Sequence, residues 1–239
     1  MRIKLVPNDP QSDPLISLPN LPERLSEYFL PSCERNYHFT SDFEYLEQRY
    51  LSEDCAMCWL DVIAYSKCVA HPVSDRPMLA LVYMLQGSAP CVLEGHGDVL
   101  VRQGQVHLFY VPANTTHHAN FRKGHYRIVY CAIAKTYLEN LAKEYPDIAE
   151  LLNSFAAESP KGLAGKPVSI ETSALHQMHL VQQCTESEAF QQSHLKARCV
   201  DLVLDYVKQV KLDKRSHNKF GNDSVAKNEK IFIAKRIID

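Results

Sequence analysis

Apolar and polar positions change their rhythm near the middle of the chain. From Phe43 to Ile133 apolar residues come in short runs, broken about every 8–12 residues by glycine, proline or polar turns. Phe43–Leu51 alternates and predicts a partly solvated strand, while Ala56–Val69 is β-rich and long enough to bend or pair twice. Met78–Leu85 (MLALVYML) is apolar on both faces, the mark of a strand covered on both sides. After Gly87–Pro90 a strand begins at Cys91, and Gly95–Asp98 predicts a hairpin because its two glycines permit positive φ. Val99–Arg102, a turn at Gly104 and the apolar strand Val106–Val111 follow. Pro112 ends that strand, Ala113–Thr116 turns, and His117 and His118 lead on to a turn at Arg122–Gly124 and a last strand, Tyr126–Ile133. About seven to nine short strands so spaced predict a β-sandwich or barrel.

Beyond Lys135 the period becomes helical. Tyr137, Leu138, Leu141, Tyr145, Ile148, Leu151, Leu152 and Phe155 recur at helical spacing, and Pro146 starts a new helix at its first turn. Glu171–Cys184 predicts a helix with Leu175, Met178 and Val181 on one side. Phe190–Leu212 predicts a longer one, with Leu195, Cys199, Leu202, Tyr206 and Val210 as an apolar stripe. That stripe is either core against the barrel or a seam with a second copy. At the other end, residues 1–40 hold Pro7, Pro10, Pro14, Pro19, Pro22 and Pro31, which predicts an extended arm with a helical turn around Glu23–Phe29.

Composition narrows the class. The chain has 239 residues, 46% of them hydrophobic and 23% charged, with a net charge of −2. It is an ordinary globular composition and lacks an overall basic footprint for nucleic acid. No run approaches the ~18 apolar residues of a membrane span, and the start lacks the apolar core of a secretory signal. The expected location is the cytoplasm. Eight cysteines without an export signal read as reduced, structural thiols. Cys55 and Cys58 form a lone CxxC, but on a strand the two side chains point to opposite faces. Residues 213–228 form a polar linker, and Lys and Arg outnumber acids from Lys208 to Arg236. Ser224 then caps an amphipathic helix carrying Ile231, Ala234, Ile237 and Ile238. Its apolar face has no partner within the sequence, which predicts continuation in a longer protein.

The order of parts resembles one bacterial family. LALVYMLQG (79–87), VLVRQGQVHLFYVPANTTHH (99–118), YRIVYCAI (126–133) and NEKIFIAKRIID (228–239) are similar to the regulatory half of AraC/XylS-type transcription regulators. The last segment resembles the opening helix of that family's paired helix-turn-helix domain, and the mid-chain helices resemble the subgroup that includes siderophore-responsive regulators. The resemblance implies an α+β fold: a cupin-like β-barrel (double-stranded β-helix), then a helical dimerisation and linker region. The expected units are an arm (1–42), a barrel (43–134), a helical region (135–212), a linker (213–228) and the start of a DNA-binding domain (229–239).

A cupin metal site would join an HxH pair and a glutamate to a histidine about five residues after a motif proline. His117 stands five residues after Pro112, but the hairpin offers only Glu94 and His96, with Gly97 where the glutamate is expected. No metal or other cofactor is expected. His107 reads as a satisfied, half-buried histidine, and of His117 and His118 one caps the turn while the other is exposed.

The resemblance further implies that the lumen takes a small effector, for which Tyr83, His107, Phe109, His117 and Tyr130 are candidate lining residues. It also implies a homodimer, with Leu195, Cys199, Leu202, Tyr206 and Val210 as candidate seam residues. The expected function is a non-enzymatic sensor that controls presentation of a DNA-binding domain carried beyond residue 239. Other readings are a cupin-fold metal-dependent isomerase or oxygenase, and a purely structural dimerisation module.

Overall fold

A computed structural model describes residues 2–6, 16–17, 23, 25, 29–30, 33–52, 55–133, 138–139, 142–143 and 145–212. The expected linker and the expected helix at 229–239 lie outside the described residues, as does most of the Glu23–Phe29 turn.

Three strands arise in the expected arm: β1 (Arg2–Val6), β2 (Ile16–Ser17) and β3 (Glu34–Phe39). The barrel continues with β4 (Phe43–Leu51), β5 (Cys55–Ala64), β6 (Cys68–Val73), β7 (Met78–Gln86) and β8 (Ala89–Leu93). It ends with β9 (Gly97–Val101), β10 (Gln105–Val111), β11 (His118–Phe121) and β12 (Gly124–Ile133). Then come α1 (Pro146–Ala156), two short strands, β13 (Leu163–Ala164) and β14 (Val168–Ser169), α2 (Thr172–Gln182), and α3 over residues 188–212.

The strands form two sheets. The smaller has the order β1-β6-β11-β8-β9, and the larger runs β13-β10-β7-β12-β5-β4-β3-β2, with β14 also on β10. The pairings between these strands are antiparallel. The first strands of the larger sheet therefore start before residue 43: β3 pairs along β4 from Glu34↔Arg49 to Phe39↔Glu44.

This pairing explains a difference from the expected solvation of β4. The strand is buried over Phe43–Gln48 although it carries two glutamates and a glutamine. Each polar group is answered locally. Tyr37 Oη donates to Glu44 Oε2 (3.1 Å), Asn36 Nδ2 to Glu47 Oε2 (3.1 Å), and Leu30 N to Gln48 Oε1 (2.8 Å). Buried polar groups persist only when so satisfied.

The larger sheet is covered on both faces. One face joins the smaller sheet in a core that includes Phe43, Leu60, Met78, Phe109, Val111, Phe121 and Tyr130. The other packs Leu79, Leu81, Leu108 and Tyr110 against the helices. From α3 that second core takes Leu195, Cys199, Leu202, Tyr206 and Val210, all buried within the single chain. The stripe is thus core, not a seam: the sheet's helix-facing residues need an apolar cover, and α3 supplies it. Fully burying such a side chain stabilises by about 1.5–3 kcal/mol.

Pro146 opens α1 as expected, its missing N–H falling where no helical partner exists. In α2, Ala174 is buried with Met178 and Val181, whereas Leu175 is 45% exposed. The buried side is thus the one marked by Ala174, one residue before the expected leucine. No helix among the described residues is long and apolar enough to cross a membrane.

Candidate functional site in the barrel lumen

Between the two sheets lies a cavity of about 130 Å³. The larger sheet supplies Tyr45, Val82, Met84, Phe109 and Tyr130, and the smaller sheet side supplies Leu93, Val101, His117 and Phe121. The lining is almost entirely carbon, as expected of a small-ligand pocket.

The alternation of β10 decides which expected residues reach it. Val106, Leu108 and Tyr110 belong to the helix-side core, while Phe109 and Val111 belong to the lumen. On β7, Met78, Ala80 and Met84 face the lumen and Leu79, Leu81 and Tyr83 face the helices. Tyr83 is therefore not a lining residue. Its hydroxyl is buried on the opposite face, near Cys131, Cys199 and Tyr206, with no hydrogen-bond partner among the described residues. The structure brings Phe109, His117 and Tyr130 to the cavity.

His107 is buried rather than half-buried. It stacks on Phe109 with ring centroids 5.3 Å apart, beside the lining residues and not among them. Neither ring nitrogen has a hydrogen-bond partner among the described residues. Burial, aided by the Arg102 charge, pushes its pKa down to about 4.

The adjacent histidines both line the cavity but differ in burial. His117 is buried; its backbone N–H donates to Pro72 O (3.1 Å), and its Nδ1 accepts the Glu94 N–H (3.1 Å). Its Nε2 is buried without a partner among the described residues. Burial lowers the His117 pKa despite the nearby Glu94 carboxylate. His118 is more exposed, lies edge-on to His71 (centroids 4.8 Å apart), and has Nε2 3.9 Å from Glu94 Oε1.

Sequence reasoning missed Tyr45. Its hydroxyl is buried beside a polar cluster that holds Glu47 and Cys58. There Cys58 Sγ donates to Glu47 Oε1 (3.6 Å), and Arg49 Nε is 4.0 Å from Glu47 Oε2. Burial and the Glu47 charge hold the Tyr45 hydroxyl far from ionising. The signal was the aromatic alternation Phe43–Tyr45, masked by the glutamates around it. Among the described residues, no group of three or more His, Cys, Asp or Glu is arranged to hold a metal ion. The eight cysteines are unpaired, and Cys55 and Cys58 lie in the two different cores.

The family model of the regulatory protein PchR N-terminal domain matches residues 44–220. The chain belongs to this family. The AraC-type resemblance drawn from the sequence stands with it, and the PchR-type match spans the barrel and the helices packed on it. No curated protein matches the sequence. Among solved structures, an apo point mutant of ToxT from Vibrio cholerae is 10% identical, with a TM-score of 0.42. The match covers 67% of this chain and 58% of ToxT. An ethanolamine utilization protein from Salmonella typhimurium is 13% identical, TM-score 0.29, over 38% of this chain and 69% of its own. A point mutant of the oxalate decarboxylase OxdC of Bacillus subtilis is 13% identical, TM-score 0.34, over 49% of this chain and 36% of its own. The PchR-type domain thus spans little more than a third of the decarboxylase and somewhat over half of ToxT.

Proposed function

We propose that this domain is the ligand-sensing part of a DNA-binding transcription regulator and has no catalytic role of its own. The observation that carries the reading is the shared sheet. On β10, Phe109 and Val111 face the cavity, while Leu108 and Tyr110 between and beside them hold the helical layer. A molecule that binds the lumen presses on a sheet whose reverse side seats α3. Close-packed layers of this kind transmit small shifts, and a ligand biases the helices by its differential affinity for two arrangements of them. A helix-turn-helix domain reached through residues 213–239 would read that bias out on DNA, as a homodimer.

Thermal-shift screening of metabolites tests the first step. A ligand at 100 times its Kd stabilises the fold by about 2.7 kcal/mol. A panel that leaves the midpoint unmoved, with an unchanged electrophoretic shift of operator DNA by the whole regulator, would reject the reading. A stoichiometric transition metal in the purified protein would favour a cupin enzyme instead.

A further inference from the structure

We infer that residues 159–166 form a clasp that couples the lumen wall to α3, a second route beside the one through the two faces of β10. The clasp takes its regulatory use from the sensor reading above, and adds to it the contacts that relay the signal.

One side of the clasp is tied to the cavity. Leu93 and His117 line the lumen, and the Glu94 N–H donates to His117 Nδ1 (3.1 Å). The Glu94 carbonyl accepts the Gly162 N–H (2.8 Å). Both main-chain groups of this hairpin residue are thus committed, one to a lumen histidine and the other to the clasp. The other side is tied to the helical layer. Leu163 and Ala164 pair with Tyr110 and Phe109 of β10, and the Gly165 N–H donates to Leu108 O (2.7 Å). Tyr110 Oη donates to Ser159 O (2.8 Å), and Tyr206 Oη of α3 donates to Lys166 O (2.9 Å). Residues 162–166 therefore meet the smaller sheet, the larger sheet and α3 in turn.

The fit leaves no slack. Gly162 is buried, and a Cβ there would lie 2.7 Å from Leu93 Cγ. A Cβ on Gly95 would lie 2.7 Å from Lys161 Cα. Where glycine backbone meets backbone there is no rotamer to absorb a displacement, and close-packed contacts of this kind transmit strain. The hairpin can shift only by taking the clasp along or by breaking the Glu94–Gly162 bond. Breaking it strands a buried N–H, which is costly. A molecule that presses on Leu93 and His117 thus reaches the Lys166 carbonyl, and through it Tyr206.

A double-substitution cycle on the whole chain tests the clasp. Val101→Ala opens space in the lumen wall on β9, and Tyr206→Phe removes the hydroxyl that holds Lys166 O. The two residues lie in different cores. Independent sites add to within about twofold in the unfolding constant, and coupled ones depart further. Urea unfolding is expected to show a departure of about fivefold for this pair. Val101→Ala with Leu195→Ala, about 16 Å along α3 from Tyr206, should stay within about twofold. Native-state amide exchange locates the effect. Val101→Ala should speed exchange at Gly162 and Gly165 beyond its global loss of stability, and Tyr206→Phe should do so at Gly162. Should Val101→Ala not fold, Tyr206→Phe alone, which keeps its ring in the core, still gives the second readout. Additivity of Val101 with Tyr206, an equal departure for the Leu195 pair, or unmoved exchange at Gly162 would overturn the clasp. None of these measurements needs a ligand. A metabolite found by thermal shift would keep the sensor reading with the clasp refuted, and a silent panel would reject that reading while the coupling stood.

Discussion

His107 shows what a single misplaced polar group does to a core. Its pKa is about 4 in the folded chain against 6.5 for an exposed ring, so protonation favours the unfolded state. Its stabilising contribution is whole above pH 6.5 and is lost as the pH falls through the folded value of about 4. The shift corresponds to about 3 kcal/mol. Urea denaturation at pH 7.5 and pH 4.5 should therefore show a steep loss in the native chain and a shallower one in His107→Leu. At neutral pH that variant should be as stable or more so, because it removes two buried nitrogens that have no partners. A histidine that is indispensable to folding would make it much weaker. The sequence marked His107 as unusual within an apolar strand, but its burial depends on Phe109 and the sheet around it. Tyr45 was hidden for the converse reason, since its polar neighbours are covered by a strand that begins at Glu34, nine residues before the start of β4.

Among the elements, strand and helix positions were mostly legible from the apolar rhythm, whereas their facing was not. Met78–Leu85 is apolar at every step, so period two carries no contrast, and only the helices on one side assign Tyr83 to them. The α3 stripe was legible as a stripe, but not what covers it. Its seating can be tested at two points. Leu202, fully buried, should cost about 3 kcal/mol on change to alanine, as cavity-forming substitutions do, measured as a lowered urea midpoint with unchanged slope. Gly165 is pinned more tightly. Its N–H donates to Leu108 O (2.7 Å), and a Cβ there would lie 2.7 Å from Tyr206 Oη and 3.1 Å from Leu108 O. Tyr206 Oη in turn donates to Lys166 O (2.9 Å). Gly165→Ala should destabilise by about 1–3 kcal/mol. Its combination with Tyr206→Phe should be less than additive, since both disturb one contact.

For the whole molecule, the order of parts said more than any motif. A barrel, then helices, identified the class that the family match bears out over residues 44–220, while no lone residue pointed to it. Assembly is different, because an apolar stripe reads alike whether it meets its own sheet or a second copy. With the stripe inside one chain, Leu202→Glu should yield unfolded or aggregated protein by circular dichroism and light scattering. A folded monomer released from a dimer would instead return the stripe to the role of a seam. Any homodimer of this domain has to use residues that the single chain leaves at its surface.

Six consecutive residues of β10, from Val106 to Val111, also bear on how such a domain changes over generations. Their alternate members answer to different masters: one set to the lumen-side core, the other to the helical layer. On the sensor reading proposed above, drift at 107, 109 and 111 would retune which molecule the lumen takes while 106, 108 and 110 keep the helical layer seated. A library confined to those odd positions is therefore the economical place to teach this scaffold a new signal.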